Sequence, residues 1–210
     1  MRSVTVAAII GAIAASTASA RTDAAPRFAL KLAPQTVVYG DAVTISGVAP
    51  HRRAGERVAI LAQSCRFTGT VQIGTARTKS GGRFSYRLEP LLNTSFWARA
   101  PGGTTRPRLL TVRPGIALKR VAAGSYRAEV LTTNGHFLDG RVVILQRLVD
   151  GRWTQVSSGL LAKASSEFAL TLTSAHTFNY TAPADARLRV RLLTDHSVCY
   201  VGGMSPAISG

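Results

Sequence analysis

Asp150-Gly151-Arg152-Trp153-Thr154-Gln155-Val156 is the stretch whose reading decides the fold. A type I′ turn needs positive φ at both central residues, and Asp-Gly supplies them most readily, so the dipeptide predicts a two-residue β-hairpin. Arg152 to Val156 is then the returning strand. Further out, Tyr39-Gly40-Asp41, Ser80-Gly81-Gly82 and Asp139-Gly140 give similar turn signals. The runs between the turns alternate with period two. Val43 and Ile45 alternate with Thr44 and Ser46; Phe84, Tyr86 and Leu88 with Arg83, Ser85 and Arg87; Phe96, Ala98 and Ala100 with Trp97 and Arg99; Leu188, Val190 and Leu192 with Arg187, Arg189 and Arg191. That period puts one set on each face of a sheet. No segment after residue 20 keeps a capped 3.6-residue period. Many short strands with regular turns predict an all-β sandwich or barrel.

Part of the pattern occurs twice. Arg57-Val58-Ala59-Ile60-Leu61 resembles Arg141-Val142-Val143-Ile144-Leu145, and Arg83-Phe84-Ser85-Tyr86-Arg87-Leu88 resembles Glu167-Phe168-Ala169-Leu170-Thr171-Leu172, each at an offset of 84. A shared offset predicts a duplicated unit. The units run over 28–113 and 114–210, each near the size of an immunoglobulin (Ig)-like sandwich, about 100 residues. The alternative is one undivided sandwich. Pro114 restricts the junction and no Gly/Ser tether is present, so limited hinge freedom is expected.

The chain has 210 residues, 26 Lys+Arg against 10 Asp+Glu, a net charge of +16, and 46% hydrophobic residues. Such apolar content excludes a disordered chain. Two cysteines exclude a disulfide-dense mini-protein and a multi-Cys zinc site. At the N-terminus, Arg2, the apolar run Val4 to Ala15 and Ala18-Ser19-Ala20 predict a signal peptide over 1–20, cleaved near Arg21. The run is too short to span a membrane, which needs about 20 residues, and no later run is longer. The expected product is secreted, extracellular or held non-covalently at the cell surface, with no membrane span.

Val43-Thr44-Ile45-Ser46-Gly47-Val48 with Ala54-Gly55-Glu56-Arg57-Val58-Ala59-Ile60-Leu61-Ala62-Gln63 resembles the opening of bacterial Ig-like repeats in secreted proteins. Gly82-Arg83-Phe84-Ser85-Tyr86 and Pro90-Leu91-Leu92-Asn93-Thr94-Ser95-Phe96 resemble their next strand and corner, and Val143 to Arg147, Asp150-Gly151 and Trp153 their central hairpin. The use of Arg over Lys, 22 to 4, resembles that of high-GC actinobacteria. The resemblance implies two tandem Ig-like β-sandwiches without catalytic activity, of the kind that serve as spacers, adhesion units or polymer-binding accessories. The Cys pair that bridges the sheets of antibody domains is missing, since each unit holds one Cys.

In that topology Cys65 and Cys199 lie in loops that face the junction, and an interdomain Cys65–Cys199 disulfide is expected. Two free thiols or an intermolecular bridge are the alternatives. Removing residues 1–20 leaves a charge of +15. Arg83, Arg87, Arg187, Arg189 and Arg191 are the candidate contacts for a polyanion: an anionic cell-wall polymer or an extracellular glycan or protein. The competing reading is a solvated, edge-protecting surface. Nucleic acid is disfavoured because no aromatic stripe accompanies the charge. Trp97 and Trp153 are either carbohydrate platforms or partly buried strand packing.

No catalytic constellation is visible. His51, His136, His176 and His196 lack metal spacing. Asp195-His196 has no oriented third member, and Gly203-Met204-Ser205-Pro206-Ala207 is not a nucleophile elbow. No paired carboxylates, phosphate loop or dinucleotide fingerprint is evident. The sequence therefore predicts a non-enzymatic extracellular structural or interaction module without cofactor or metal. The rival is a polyanion- or glycan-binding accessory protein of the cell envelope.

Overall fold

A computed structural model describes residues 28–133, 135, 138–165, 170–193 and 199–210. The expected signal peptide, His136, Glu167-Phe168-Ala169, Asp195 and His196 lie outside these residues. Before Pro114 the strands are β1 (Leu30–Ala33), β2 (Thr36–Val38), β3 (Val43–Val48), β4 (Arg57–Ser64), β5 (Val71–Arg77), β6 (Arg83–Leu88), β7 (Thr94–Ala100), β8 (Gly103–Thr104) and β9 (Arg108–Arg113). After it come β10 (Gly115–Ala122), β11 (Ser125–Thr133), β12 (Val142–Val149), β13 (Arg152–Leu160), β14 (Ala162–Lys163), β15 (Thr171–Asn179), β16 (Arg187–Leu192), β17 (Gly203–Met204) and β18 (Ile208–Ser209). Among the described residues there is no α-helix, and Ser80–Gly82 form a single 3-10 turn.

The chain is all-β. Two sheets use strands before Pro114: β1-β3-β6, and β2-β9-β7-β4-β5 with β8 on β7. Two use strands after it: β10-β11-β15-β14, and β13-β12-β16-β17 with β18 also on β16. Every ladder is antiparallel except β2 with β9. Such antiparallel sheets are consistent with Ig-like β-sandwich packing.

Alternation places the core. In β11, Tyr126, Ala128, Val130 and Thr132 are buried while their neighbours are half-exposed. In β16, Leu188, Val190 and Leu192 are buried between arginines. Leu30, Val43, Ile45 and Phe84 of one sheet pack with Ile60, Phe96, Ala98 and Leu110 of its partner. A second cluster joins Tyr126, Val130 and Phe178 to Val143, Leu145, Leu188 and Val190. Each such side chain, fully removed from water, stabilises the fold by roughly 1.5–3 kcal/mol.

The Asp150-Gly151 turn closes the β12–β13 hairpin with φ of 48° and 76°, the type I′ signature. The duplicated strand needs a correction of one residue. Val58 and Ile60 are buried in β4, as are Val143 and Leu145 in β12, and opposite the second of them the neighbouring strand bulges, at Ile73 of β5 and Val156 of β13. For this strand the offset is therefore 85 rather than 84; of the second matched block, 167–172, only Thr171 and Leu172 belong to β15. With a side-chain period of two, a slip of one residue moves every residue to the opposite face. Matching Ile60 to Ile144 set a core residue against an outward one.

Leu145→Ala should lower stability by about 2–5 kcal/mol, whereas Ile144→Ala should give a clearly smaller loss. Urea unfolding of the two variants checks the assignment, and an equal loss would restore the original register.

Candidate functional site

Cys65 follows β4 directly, and Cys199 lies between β16 and β17; they form a disulfide with a Cα–Cα distance of 5.4 Å. The bridge is one part of a larger contact. Cys199 and Tyr200, from the C-terminal half, are 0% and 2% exposed and belong to the core cluster of the N-terminal half. Asn93 organises the backbone around them. Its N–H donates to the Cys199 carbonyl at 2.9 Å, its carbonyl accepts from the Cys65 N–H at 2.8 Å, and its Oδ1 accepts from the Val112 N–H at 2.7 Å. The Val201 N–H donates to the Val112 carbonyl at 2.9 Å. The Tyr200 hydroxyl accepts from the Thr133 N–H at 2.9 Å. Buried peptide groups must find partners, and here the two halves satisfy each other. Burial pushes the Tyr200 phenol well above its ordinary value, against the opposing pull of the Thr133 hydrogen bond.

The five candidate arginines fall on two separate sheets. Arg83 and Arg87 lie on the exposed side of β6, opposite Val48 and Thr44. Arg187, Arg189 and Arg191 lie on the outward side of β16. No ladder joins these sheets, so the structure does not assemble one continuous arginine stripe.

The β16 face is the more highly organised. Arg189 is half-buried. Its Nε donates to Gln146 Oε1 at 2.9 Å, and its guanidinium carbon sits 4.1 Å from the Trp153 ring centroid. Such cation–π stacking contributes about 0.5–1 kcal/mol at an exposed site. Gln146 is itself buried, at 7% exposure. Arg191 pairs with Ile144, and Arg189 with Gln146. Gln155 is opposite Gln146 on the other side, and Trp153 opposite Leu148. Desolvation, and then the neighbouring Arg191 charge, hold the Arg189 pKa below that of a free guanidinium. No carboxylate among the described residues pairs with any of the three arginines. By contrast, Lys119 and Arg127 share Glu129 at 2.7 and 3.2 Å. The Lys119 hydrogen bond is the main cause of that carboxyl's lowered pKa.

Trp97 is half-buried on the outward side of β7, opposite Leu61 and beside Arg99. His51 Nδ1 meets Glu56 Oε1 at 2.7 Å, while Glu56 Oε2 is buried without a partner. Among the described residues no hydroxyl or thiol bonds to these two side chains; the Thr78 hydroxyl accepts from the Glu56 backbone N–H at 2.8 Å. An apolar cavity of about 360 Å³ beside the junction is lined by Phe67, Ile73, Leu91, Phe96 and Thr133. Among the described residues, no three of His, Cys, Asp and Glu come together to hold a metal ion.

The sequence reading missed the roles of Asn93, Gln146 and Tyr200. Tyr200 carried one signal, its position next to a Cys expected at the junction. Comparison with protein-family models and with curated proteins finds no match to this chain.

Tyr200→Phe tests the junction. A phenol whose folded pKa is raised contributes stability that is complete below the unfolded value of about 10 and is lost as pH rises toward the folded value. Wild type should therefore lose stability between about pH 9 and 11 more steeply than Tyr200→Phe, in urea titrations at each pH. Parallel losses would place Tyr200 in an ionisable, wetted site.

Proposed function

We propose that this chain is exported after loss of residues 1–20 and works outside the cell as a non-enzymatic interaction module of two tandem Ig-like sandwiches, 28–113 and 114–210. It belongs with the secreted bacterial Ig-like repeat proteins that its sequence resembles. The observation that carries this reading is the junction. A disulfide, two backbone hydrogen bonds (Asn93 N–H to the Cys199 carbonyl and Val201 N–H to the Val112 carbonyl) and the burial of Cys199 and Tyr200 in the N-terminal core cluster tie the halves together. Cross-links of this kind persist in oxidising, extracellular compartments. Among the described residues no helix is long and apolar enough to cross a membrane. A module that presents surfaces at a set angle suits a spacer or adhesion unit, and the side chains on its faces serve binding rather than turnover.

Replacing both cysteines by serine should cost about 2–5 kcal/mol and broaden the distribution of interdomain distances in small-angle scattering. An unchanged scattering profile, with stability preserved, would remove the disulfide from the reading.

A second reading, attachment to an anionic polymer of the cell envelope, is favoured by Arg187, Arg189 and Arg191, which face outward with no carboxylate partner among the described residues. Affinity of this kind comes from released counterions and falls steeply with salt. Protein added back to cells of its host should bind at low salt and wash off in moderate salt. Equal partitioning at every salt concentration would leave the spacer reading alone.

A further inference from the structure

We propose that the outward face of the β13-β12-β16-β17 sheet is a binding site for a carboxylated polysaccharide, with Arg189 gripping a sugar carboxylate and Gln146, Gln155 and Trp153 setting the selectivity for a sugar. The inference rests on the polyanion reading above and names the polymer class and the residues.

Comparison of the two halves carries the argument. Residues 61 and 146 occupy the same place in β4 and β12, just after the point where the neighbouring strand, β5 or β13, bulges. Leu61 faces Trp97 across the ladder, whereas Gln146 faces Arg189. The N-terminal face thus has an apolar pair at its centre, and the C-terminal face a polar pair of a buried amide and a half-buried guanidinium. Burying an amide and a guanidinium is unfavourable unless they are hydrogen-bonded, and their mutual bond satisfies only part of their capacity. Arg189 Nε is committed to Gln146, and the guanidinium carbon lies 4.1 Å from the Trp153 ring centroid. The two Nη groups are left at the end of the fork, a geometry that matches a planar carboxylate through two parallel hydrogen bonds.

The surroundings argue for a sugar polymer over other anions. Arg187, Arg189 and Arg191 recur along β16 about every 6.6 Å, two strand residues apart, which suits a polymer with regularly repeated anionic groups; the preference for a sugar comes from the side chains beside them. Gln155 and Ser158 are exposed on the adjacent strand and supply donors and acceptors for hydroxyl groups. The Trp153 ring adds an apolar surface beside them, the combination of a polar and an aromatic contact that sugar rings use. No acidic side chain stands on the strands at these positions to repel the ligand.

The test is a titration of the full chain at low salt with four probes: polygalacturonate, its methyl ester, inorganic polyphosphate and polyglutamate. Wild type should bind polygalacturonate most tightly and its neutral ester not at all. Arg189→Lys keeps the charge but removes the fork and the stack. It should weaken polygalacturonate binding about tenfold, the loss of a bidentate charge-assisted contact. Gln146→Leu, which copies the N-terminal half, should give the same loss. Gln155→Ala on the exposed surface removes a hydroxyl partner and no charge; it should weaken polygalacturonate binding about threefold, the loss of one hydrogen bond, with polyphosphate binding unchanged, and it keeps the test decisive if either of the other variants unfolds by circular dichroism. Polyphosphate or polyglutamate bound as tightly as polygalacturonate, or equal losses from Gln155→Ala on all polyanions, would overturn the proposal while leaving the polyanion reading intact. Failure to bind any polyanion would overturn both.

Discussion

Tyr200 and Cys199 spend their apolar surface in the core of the half of the chain to which they do not belong by sequence. Much else depends on that insertion. The ring displaces water from the end of the β3/β4/β7 cluster, its hydroxyl caps the Thr133 N–H, and its neighbour Cys199 is brought within bonding reach of Cys65. Asn93 completes the contact because a single residue there offers an N–H, a carbonyl and a side-chain oxygen to three different peptides. The disulfide therefore acts on an already packed interface rather than alone. Pro114, buried between β9 and β10, leaves the covalent link between the halves one residue long. The geometry of the two halves is set from both sides, by the short connection and by the returning segment.

The sequence carried the fold well wherever a strand had one wet face. Val43 and Ile45, Phe96 and Ala98, and Leu188, Val190 and Leu192 all point inward as their alternation requires, and Asp150-Gly151 turns as its backbone preferences demand. It failed where β4 and β12 approach continuous hydrophobicity. Ile60-Leu61-Ala62 and Val142-Val143-Ile144-Leu145 contain no polar residue to mark the face, so identity alone chose the register and chose it one residue out. The bulges opposite Ile60/Leu61 and Leu145/Gln146, at Ile73 of β5 and Val156 of β13, are invisible to any strict period. The cysteine pairing was legible because topology placed both loops at the junction. Asn93 and Gln146 were not, because their roles depend on backbone atoms and cross-strand neighbours far away in sequence.

The two outward faces show how similar scaffolds can diverge in chemistry. Each of the sheets built around β4 and β12 carries one tryptophan with arginines nearby. In the N-terminal half the tryptophan shares a face with Leu61. In the C-terminal half the aromatic ring has a guanidinium stacked over it. A change of one residue, from leucine to glutamine, accompanies that difference and exchanges an apolar neighbour for one that hydrogen-bonds an arginine.

The bridge between Cys65 and Cys199 also decides how the chain responds to tension. It spans 134 positions of sequence, and nearly the whole C-terminal half lies inside that closed loop. Pulling between Phe28 and Gly210 draws the covalent path through the sulfur–sulfur bond and bypasses β5 to β16. Those strands stay slack under load, so the molecule has little hidden length to release and behaves under traction as a short, nearly inextensible link.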